Sequence, residues 1–259
     1  MSKSTRRAEQ YAGHPVSDPI ARAAWQFQAI GTIRTCFTEK FGIPRQPGLV
    51  PEAEGILTLL PPFDQAEMVR ELEGFSHVWV LFVFHGLAGR GFKSTVRPPR
   101  LGGQRRIGVL ASRSGFRPNP IGMSVVELAA VEFPRGRTQL RLRGVDLLDG
   151  TPVLDIKPYL PYADCVPGAR GGFAAAGSPE LLGVTFSARA REQLTRQTHL
   201  EPAKFQRLIA QVLSQDPRPA YAGSTDAERV FGMTLWDYNV RWQVTGGRVR
   251  VLSVMPYEE

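Results

Sequence analysis

Between residues 111 and 124 the chain reads Ala-Ser-Arg-Ser-Gly-Phe-Arg-Pro-Asn-Pro-Ile-Gly-Met-Ser. Arg113 and Arg117 carry planar fork donors that pair with carboxylates and phosphates, and the Asn119 amide both donates and accepts. Pro118 and Pro120 fix their own φ and push Arg117 and Asn119 into extended backbone. The apolar runs on either side, 106–112 and 123–133, read as strands. A hairpin between them needs only about two to five residues. A longer, stiffened connection that displays fork donors suits a polar ligand. The same residues would also make a surface turn with solvated arginines.

Related chemistry recurs along the chain. Pro44-Arg45-Gln46-Pro47 again sets polar side chains between prolines, and 86–103 is a basic loop with Arg90, Lys93, Arg97 and Arg100, followed by Arg105 and Arg106. A loop of that length inside a domain is usually functional or mobile. The net charge of +8 and pI of about 9.9 point to a polyanionic partner, nucleic acid first. Several chemistries are disfavoured. Gly86-Leu-Ala-Gly-Arg-Gly91 has its glycines in the wrong order for a dinucleotide fingerprint, and there is neither a phosphate-binding P-loop nor a nucleophile elbow. His77 and His85 stand eight residues apart, on one side of a strand, which reads as hydrogen-bonded histidines at strand ends rather than a zinc pair. No metal site is expected.

The elements that must hold these groups follow from hydrophobic pattern. With 259 residues, 42% hydrophobic, the chain can form one large or two unequal domains. No apolar run approaches the ~20 residues of a membrane helix, and the first residues lack a signal core, so a soluble cytoplasmic protein is expected. Cys36 and Cys165, far apart in sequence, fit a reducing compartment. Residues 1–24 read as a disordered tail. Strands are expected at 27–35, 55–60, 77–85, 139–145 and 153–156, with 77–85 buried on both faces. Asp64 is placed to cap a short helix that Gly74 ends. The Gly, Ala and Pro-rich stretch 167–179 reads as a linker. Beyond it come a helix at 187–197 and a second, opened by Pro202, with Phe205, Leu208, Ile209, Val212 and Leu213 on one stripe. Trp236, Tyr238, Val240, Trp242 and Val244 alternate as a half-buried strand, and Gly246-Gly247 turns it into 248–254. The fold class is mainly β: a first domain, 25–166, of strands with short helices, and a smaller α+β domain, 180–259. Strands do not alternate with long helices, so a doubly wound sheet is disfavoured.

Six motifs, in order, resemble one family. They are Pro44-Arg-Gln-Pro-Gly48, Phe75-Ser-His-Val-Trp79 running on to His85, Arg97-Pro-Pro-Arg-Leu-Gly-Gly103, Arg113 with Phe116-Arg-Pro-Asn-Pro-Ile-Gly-Met-Ser124, Asp149-Gly-Thr-Pro152 with Asp155-Ile-Lys-Pro-Tyr-Leu-Pro161, and Asp216-Pro-Arg-Pro-Ala-Tyr221. Together they are similar to the tRNA N6-threonylcarbamoyladenosine methyltransferases over about residues 27–254. The resemblance implies a β-barrel enzyme acting as a homodimer. It also implies that S-adenosyl-L-methionine methylates N6 of threonylcarbamoyladenosine beside the anticodon of a threonine tRNA. Cofactor contacts carried over by motif fall on Pro44, Arg45, Gln46, His85, Gly86, Arg113, Met123, Asp149, Gly150, Thr151 and Pro152.

The residues agree in kind. Proline- and glycine-fixed backbone can read adenine, Asp149 could accept from ribose hydroxyls or an ammonium, and an arginine fork could hold a carboxylate. The target nitrogen belongs to a urea-like group, so a general base would help. Asp216 and Tyr221 are the expected candidates, aided by Arg218. Arg97, Arg100, Arg105, Arg106 and Arg117 are expected on tRNA phosphates. The competing readings are another methyl acceptor on the same barrel, and a non-catalytic RNA-binding module.

Overall fold

Strict alternation puts Ile33, Leu57, Val78, Val80, Val126, Leu140 and Leu142 on one face of their strands, a face that must be buried against a shared interior. In the computed structural model, which describes residues 24–175, 177, 180–197, 200–218 and 229–257, they form a closed six-stranded barrel. Its strands are β1 (Gly31–Thr35), β2 (Glu54–Leu59), β3 (His77–Val83), β6 (Ile121–Glu132), β7 (Gln139–Arg143) and β8 (Thr151–Pro158), in the order β1-β2-β7-β6-β3-β8. A two-residue pair, β4 (Thr95–Val96) with β5 (Ile107–Gly108), stands off the barrel as a small arm.

The second sheet runs β10 (Phe231–Leu235), β11 (Tyr238–Thr245), β12 (Arg248–Pro256), β9 (Gly183–Phe186), with β9 parallel to β12. Helices Ala188–Arg196 and Pro202–Ser214 accompany it. The first is capped by Ser187, whose Oγ accepts from the Ala190 N–H at 3.0 Å. The second buries all five residues of its expected stripe. Trp242 is fully buried and stacks on Phe231 at 4.9 Å. The two sheets share one hydrophobic core, and Trp236 N–H donates to Cys36 O at 2.8 Å between them. Among the described residues no helix is long and apolar enough to cross a membrane.

Several local expectations are corrected. Only Ile107–Gly108 pairs within 106–112, because the chain turns into a 3-10 helix at Val109–Ala111. The first strand begins at Gly31, not at 27. Asp64 caps no helix: the segment is two 3-10 turns, Ala66–Val69 and Leu72–Gly74, and the residue ahead of the first is Gln65, with no capping bond. The apolar run 77–85 is buried on one face and half-buried on the other, and His85 opens a 3-10 turn beyond the strand, so it no longer shares His77's side. The alternating run starts at Tyr238, since Trp236, at φ +54, forms the turn from β10. Residues 1–23 lie outside those described.

Candidate active site

At one rim of the barrel the loops 40–46, 84–87, 112–119 and 146–151 surround a cavity of about 750 Å³, well within the usual range for small-molecule sites. The segment 112–116 is held by serines. Ser112 Oγ donates to Val109 O at 2.8 Å and accepts from the Ser114 N–H at 3.2 Å, and Ser114 Oγ accepts from the Phe116 N–H at 3.3 Å. These short side chains lock a turn the way backbone would. Gly115 and Gly122 then let aromatics approach. A Cβ on Gly115 would sit 2.6 Å from Phe84, and one on Gly122 would sit 2.3 Å from Phe82. The two rings meet edge to face at 5.1 Å and form the apolar wall.

Polar groups converge on this wall. Arg113 Nη1 donates to Gln46 Oε1 at 2.5 Å and ties the 112–119 loop to the 44–47 loop. Arg113 is exposed and has donors to spare. Lys40 Nζ donates to Gly86 O at 2.6 Å. The Thr151 hydroxyl donates to Leu148 O at 2.6 Å, so its contact with His85 Nδ1 at 3.4 Å is an acceptor's. That leaves His85 Nε2 as an acceptor. Asp146 also lines the cavity and receives the Ser124 hydroxyl at 2.6 Å. Burial, the largest influence on it, pushes its carboxyl up to about 6, while the Ser124 bond and the charge of Arg113 work the other way.

Of the residues expected at a cofactor site, Pro44, Arg45, Gln46, His85, Gly86, Arg113, Met123 and Thr151 line this one cavity. Asp149, Gly150 and Pro152 are neighbours of Thr151 but are not among the lining residues. The Asp149 carboxylate accepts from the Thr35 N–H at 2.8 Å, so it binds β1 to the 146–151 loop. Arg117 lines the cavity and donates to Ser112 O at 3.3 Å. Asp216 and Arg218 are not brought there. Asp216, at φ +48, accepts Arg218 Nε at 2.7 Å on one oxygen and Nη2 at 2.8 Å on the other. Tyr221 lies outside the described residues. Sequence reasoning missed Asp146 and Lys40, which carry no local signal beyond their residue types, and gave no role to Ser124, although it closes the 111–124 stretch.

Arg97, Arg100, Arg105 and Arg106 sit exposed on the arm, where Arg106 Nη1 donates to Thr95 Oγ1 at 3.1 Å. Lys93 lies 4.2 Å over the Phe116 ring, which joins the arm to the cavity loop. Among the described residues none of these cations is in an ion pair, whereas Arg141, Arg143, Arg196 and Arg207 elsewhere are matched to glutamates. Unmatched exposed cations suit a phosphate backbone.

Comparison with known proteins adds to this geometry. Residues 32–165 match the tRNA-methyltransferase O N-terminal domain and residues 179–257 match the TrmO C-terminal domain. A tRNA (adenine(37)-N6)-methyltransferase of Escherichia coli K12 is 47% identical over 234 residues, covering 90% of this chain and 99% of the relative. A Pseudomonas aeruginosa relative, RcsF, named as an S-adenosylmethionine-dependent methyltransferase, is 51% identical over 226 residues, covering 87% and 95%. A crystal structure of TrmO from Pseudomonas aeruginosa superposes with a TM-score of 0.72 at 44% identity, covering 90% of this chain and 98% of that one.

Proposed function

Because this chain belongs to the tRNA-methyltransferase O family, and so to the enzymes that methylate N6 of a tRNA adenine, we propose a finer substrate. The adenosine it methylates already carries a threonylcarbamoyl group on N6 and lies beside the anticodon of a threonine tRNA. The methyl donor is S-adenosyl-L-methionine, and the work is done in the cytoplasm, where tRNA is handled. The observation that carries this reading is the convergence of the 44–47 and 112–119 loops, through the Arg113–Gln46 bond, on a cavity with an aromatic wall.

The residues fit that donor. When bound, it supplies an electrophilic methyl group on a sulfonium. Arg113 is placed to take a carboxylate as a fork, and the backbone at Pro44–Gln46 with the Phe82 and Phe84 wall suits a purine. His85 and Thr151, in contact with each other, belong to the same lining. The protein's share is alignment and electrostatics. We assign methyl transfer to the barrel, 25–166, and an accessory role to 180–259, with 167–179 between them.

The chain acts as a homodimer. Three cross-strand pairs face outward from the barrel, Trp79 with Val125, Leu81 with Met123 and Val83 with Ile121, all apolar and only half covered apart from Met123, which is 49% exposed. Met123 belongs to this face and to the cavity lining, so a second copy seated here would wall the site. A second copy is also what could bring Asp216 and Arg218 to a cavity they do not line within one chain. Sedimentation should give a two-chain mass, and Leu81→Glu a single-chain mass. A wild type that sediments as one chain contradicts this assembly.

The arm binds the tRNA backbone. Replacing Arg97 and Arg100 together with alanine should reduce the slope of log affinity against log salt by about 1–2 and weaken binding roughly tenfold at moderate salt. An unchanged slope would remove the arm from the interface. The function itself is tested by incubating the protein and S-adenosylmethionine with tRNA bearing or lacking the threonylcarbamoyl group, followed by mass spectrometry of the nucleosides. Methylation of only the modified tRNA is expected. Equal methylation of both, or transfer to another base, would replace the proposed acceptor.

A further inference from the structure

We propose that Asp146, held in place by Ser124, is the base that takes the proton from the acceptor nitrogen. This rests on the function proposed above. Among the described residues that line the cavity, Asp146 is the only carboxylate. It sits on the loop between β7 and β8, with Oδ1 fixed by the Ser124 hydroxyl at 2.6 Å, and Ser124 projects inward from β6 and is itself buried. Besides this bond the carboxylate receives its own backbone N–H, and no other side chain donates to it among the described residues, so it has acceptor capacity left. Asp216 and Asp149, the other acids the sequence pointed to, do not line the cavity: Asp216 holds Arg218, and one Asp149 oxygen accepts from the Thr35 N–H.

The charged groups that line the cavity with it are the cations Arg113, Arg117, Arg45 and Lys40, with the His85 imidazole alongside. Of these, the charge of Arg113 draws the Asp146 carboxyl down. Burial outweighs it, and a carboxyl pushed up to about 6 is ionised at pH 7 yet basic enough to compete for a proton. A cofactor anchor would gain from the opposite tuning, a carboxyl held down by its partners.

The step balances. As the acceptor nitrogen's lone pair forms the bond to the methyl carbon, the methyl–sulfur bond breaks and sulfur takes its electrons, leaving a neutral thioether. The N–H proton passes to the Asp146 carboxylate and then to water. The reactants are a sulfonium methyl donor, an N–H acceptor and a carboxylate. The products are a thioether, an N-methyl group and a carboxylic acid.

The carboxylate is also kept against the fold's interest. Its folded value lies above its ordinary value of 3.8, so the native state binds the proton more tightly than the unfolded chain does. Its contribution to stability therefore declines as pH rises from about 4 through about 6. Asp146→Asn should melt no lower than wild type at pH 7.5.

Four readouts test the proposal. Calorimetry should give Asp146→Asn a donor affinity within about threefold of wild type. Its single-turnover methylation at saturating donor and tRNA should fall about 100-fold or more. The wild-type rate should drop below about pH 6, and that limb should be missing from the residual activity of Asp146→Asn. Carboxyl-carbon NMR should show a group titrating near 6 in wild type, and in Ser124→Ala it should titrate at higher pH, because the lost hydrogen bond favoured the ion. A donor affinity that collapses in Asp146→Asn while the saturated rate survives would make Asp146 an anchor and overturn the proposal. So would a wild-type rate in that variant, or an acid limb that persists in it. A wild-type protein that binds no donor would instead sink the function on which the proposal rests.

Discussion

Arg113→Ala should weaken binding of S-adenosylmethionine by about 10–100-fold, the equivalent of one or two lost charge-assisted hydrogen bonds. The guanidinium is exposed at the cavity mouth and uses one donor on Gln46 Oε1. Its remaining donors form a planar fork suited to a carboxylate. Removing it takes away that fork and frees Gln46, so the 44–47 loop loses its tie to the 112–119 loop. Arg113→Lys should recover only part of the affinity, because an ammonium keeps the charge and loses the fork. Melting should barely change, since the side chain supports no core contact. Calorimetry with the donor and with its demethylated product should show the loss for both, as both carry the same carboxylate. Unchanged affinity would take Arg113 out of the site.

Gly122→Ala should destabilise the barrel by about 2–3 kcal/mol and remove most of the activity with it. The added Cβ would sit 2.3, 2.5 and 2.9 Å from three atoms of the Phe82 ring. That ring is 5% exposed and packed edge to face on Phe84, so it has little room to retreat. For a chain of this size the melting temperature should fall by very roughly 4–10 °C. Phe82→Leu in the same chain should recover part of the loss, because a shorter side chain vacates the space. A Gly122→Ala protein that melts with wild type would show that the wall can rearrange. Close aromatic approach would then no longer explain the glycine.

What the sequence disclosed depended on how local the cause was. The stripe from Phe205 to Leu213 was legible because helical period, a leading Pro202 and burial all concur within thirteen residues. The same holds for Tyr238–Thr245, whose alternation matches its burial residue by residue. Strands β9 and β10 were missed because each is short. The first is four residues long and finds its partner, β12, more than sixty residues away. The run at 107–111 has strand composition, yet its chain turns after two paired residues.

The site shows the same division. Proline bracketing drew attention to 44–47 and 112–120, and those loops do face one cavity. The stiffness of 112–116, however, comes from Ser112 and Ser114 bonding to backbone. A Ser-x-Ser spacing next to a glycine was the available signal. Asp149 has the look of a ligand group, but its partner is the Thr35 N–H, 114 residues away in sequence. Asp146, three residues earlier, looks like a turn residue. Its character comes from burial and from Ser124 on a different strand.

The central claim is that one cavity at the barrel rim holds the methyl donor. A crystal of the protein grown with S-adenosylmethionine tests it most directly. The account predicts the donor between Pro44–Gln46, Arg113 and Thr151, with its carboxylate on the Arg113 fork. A donor bound elsewhere on the chain, with those loops left facing solvent, would contradict it.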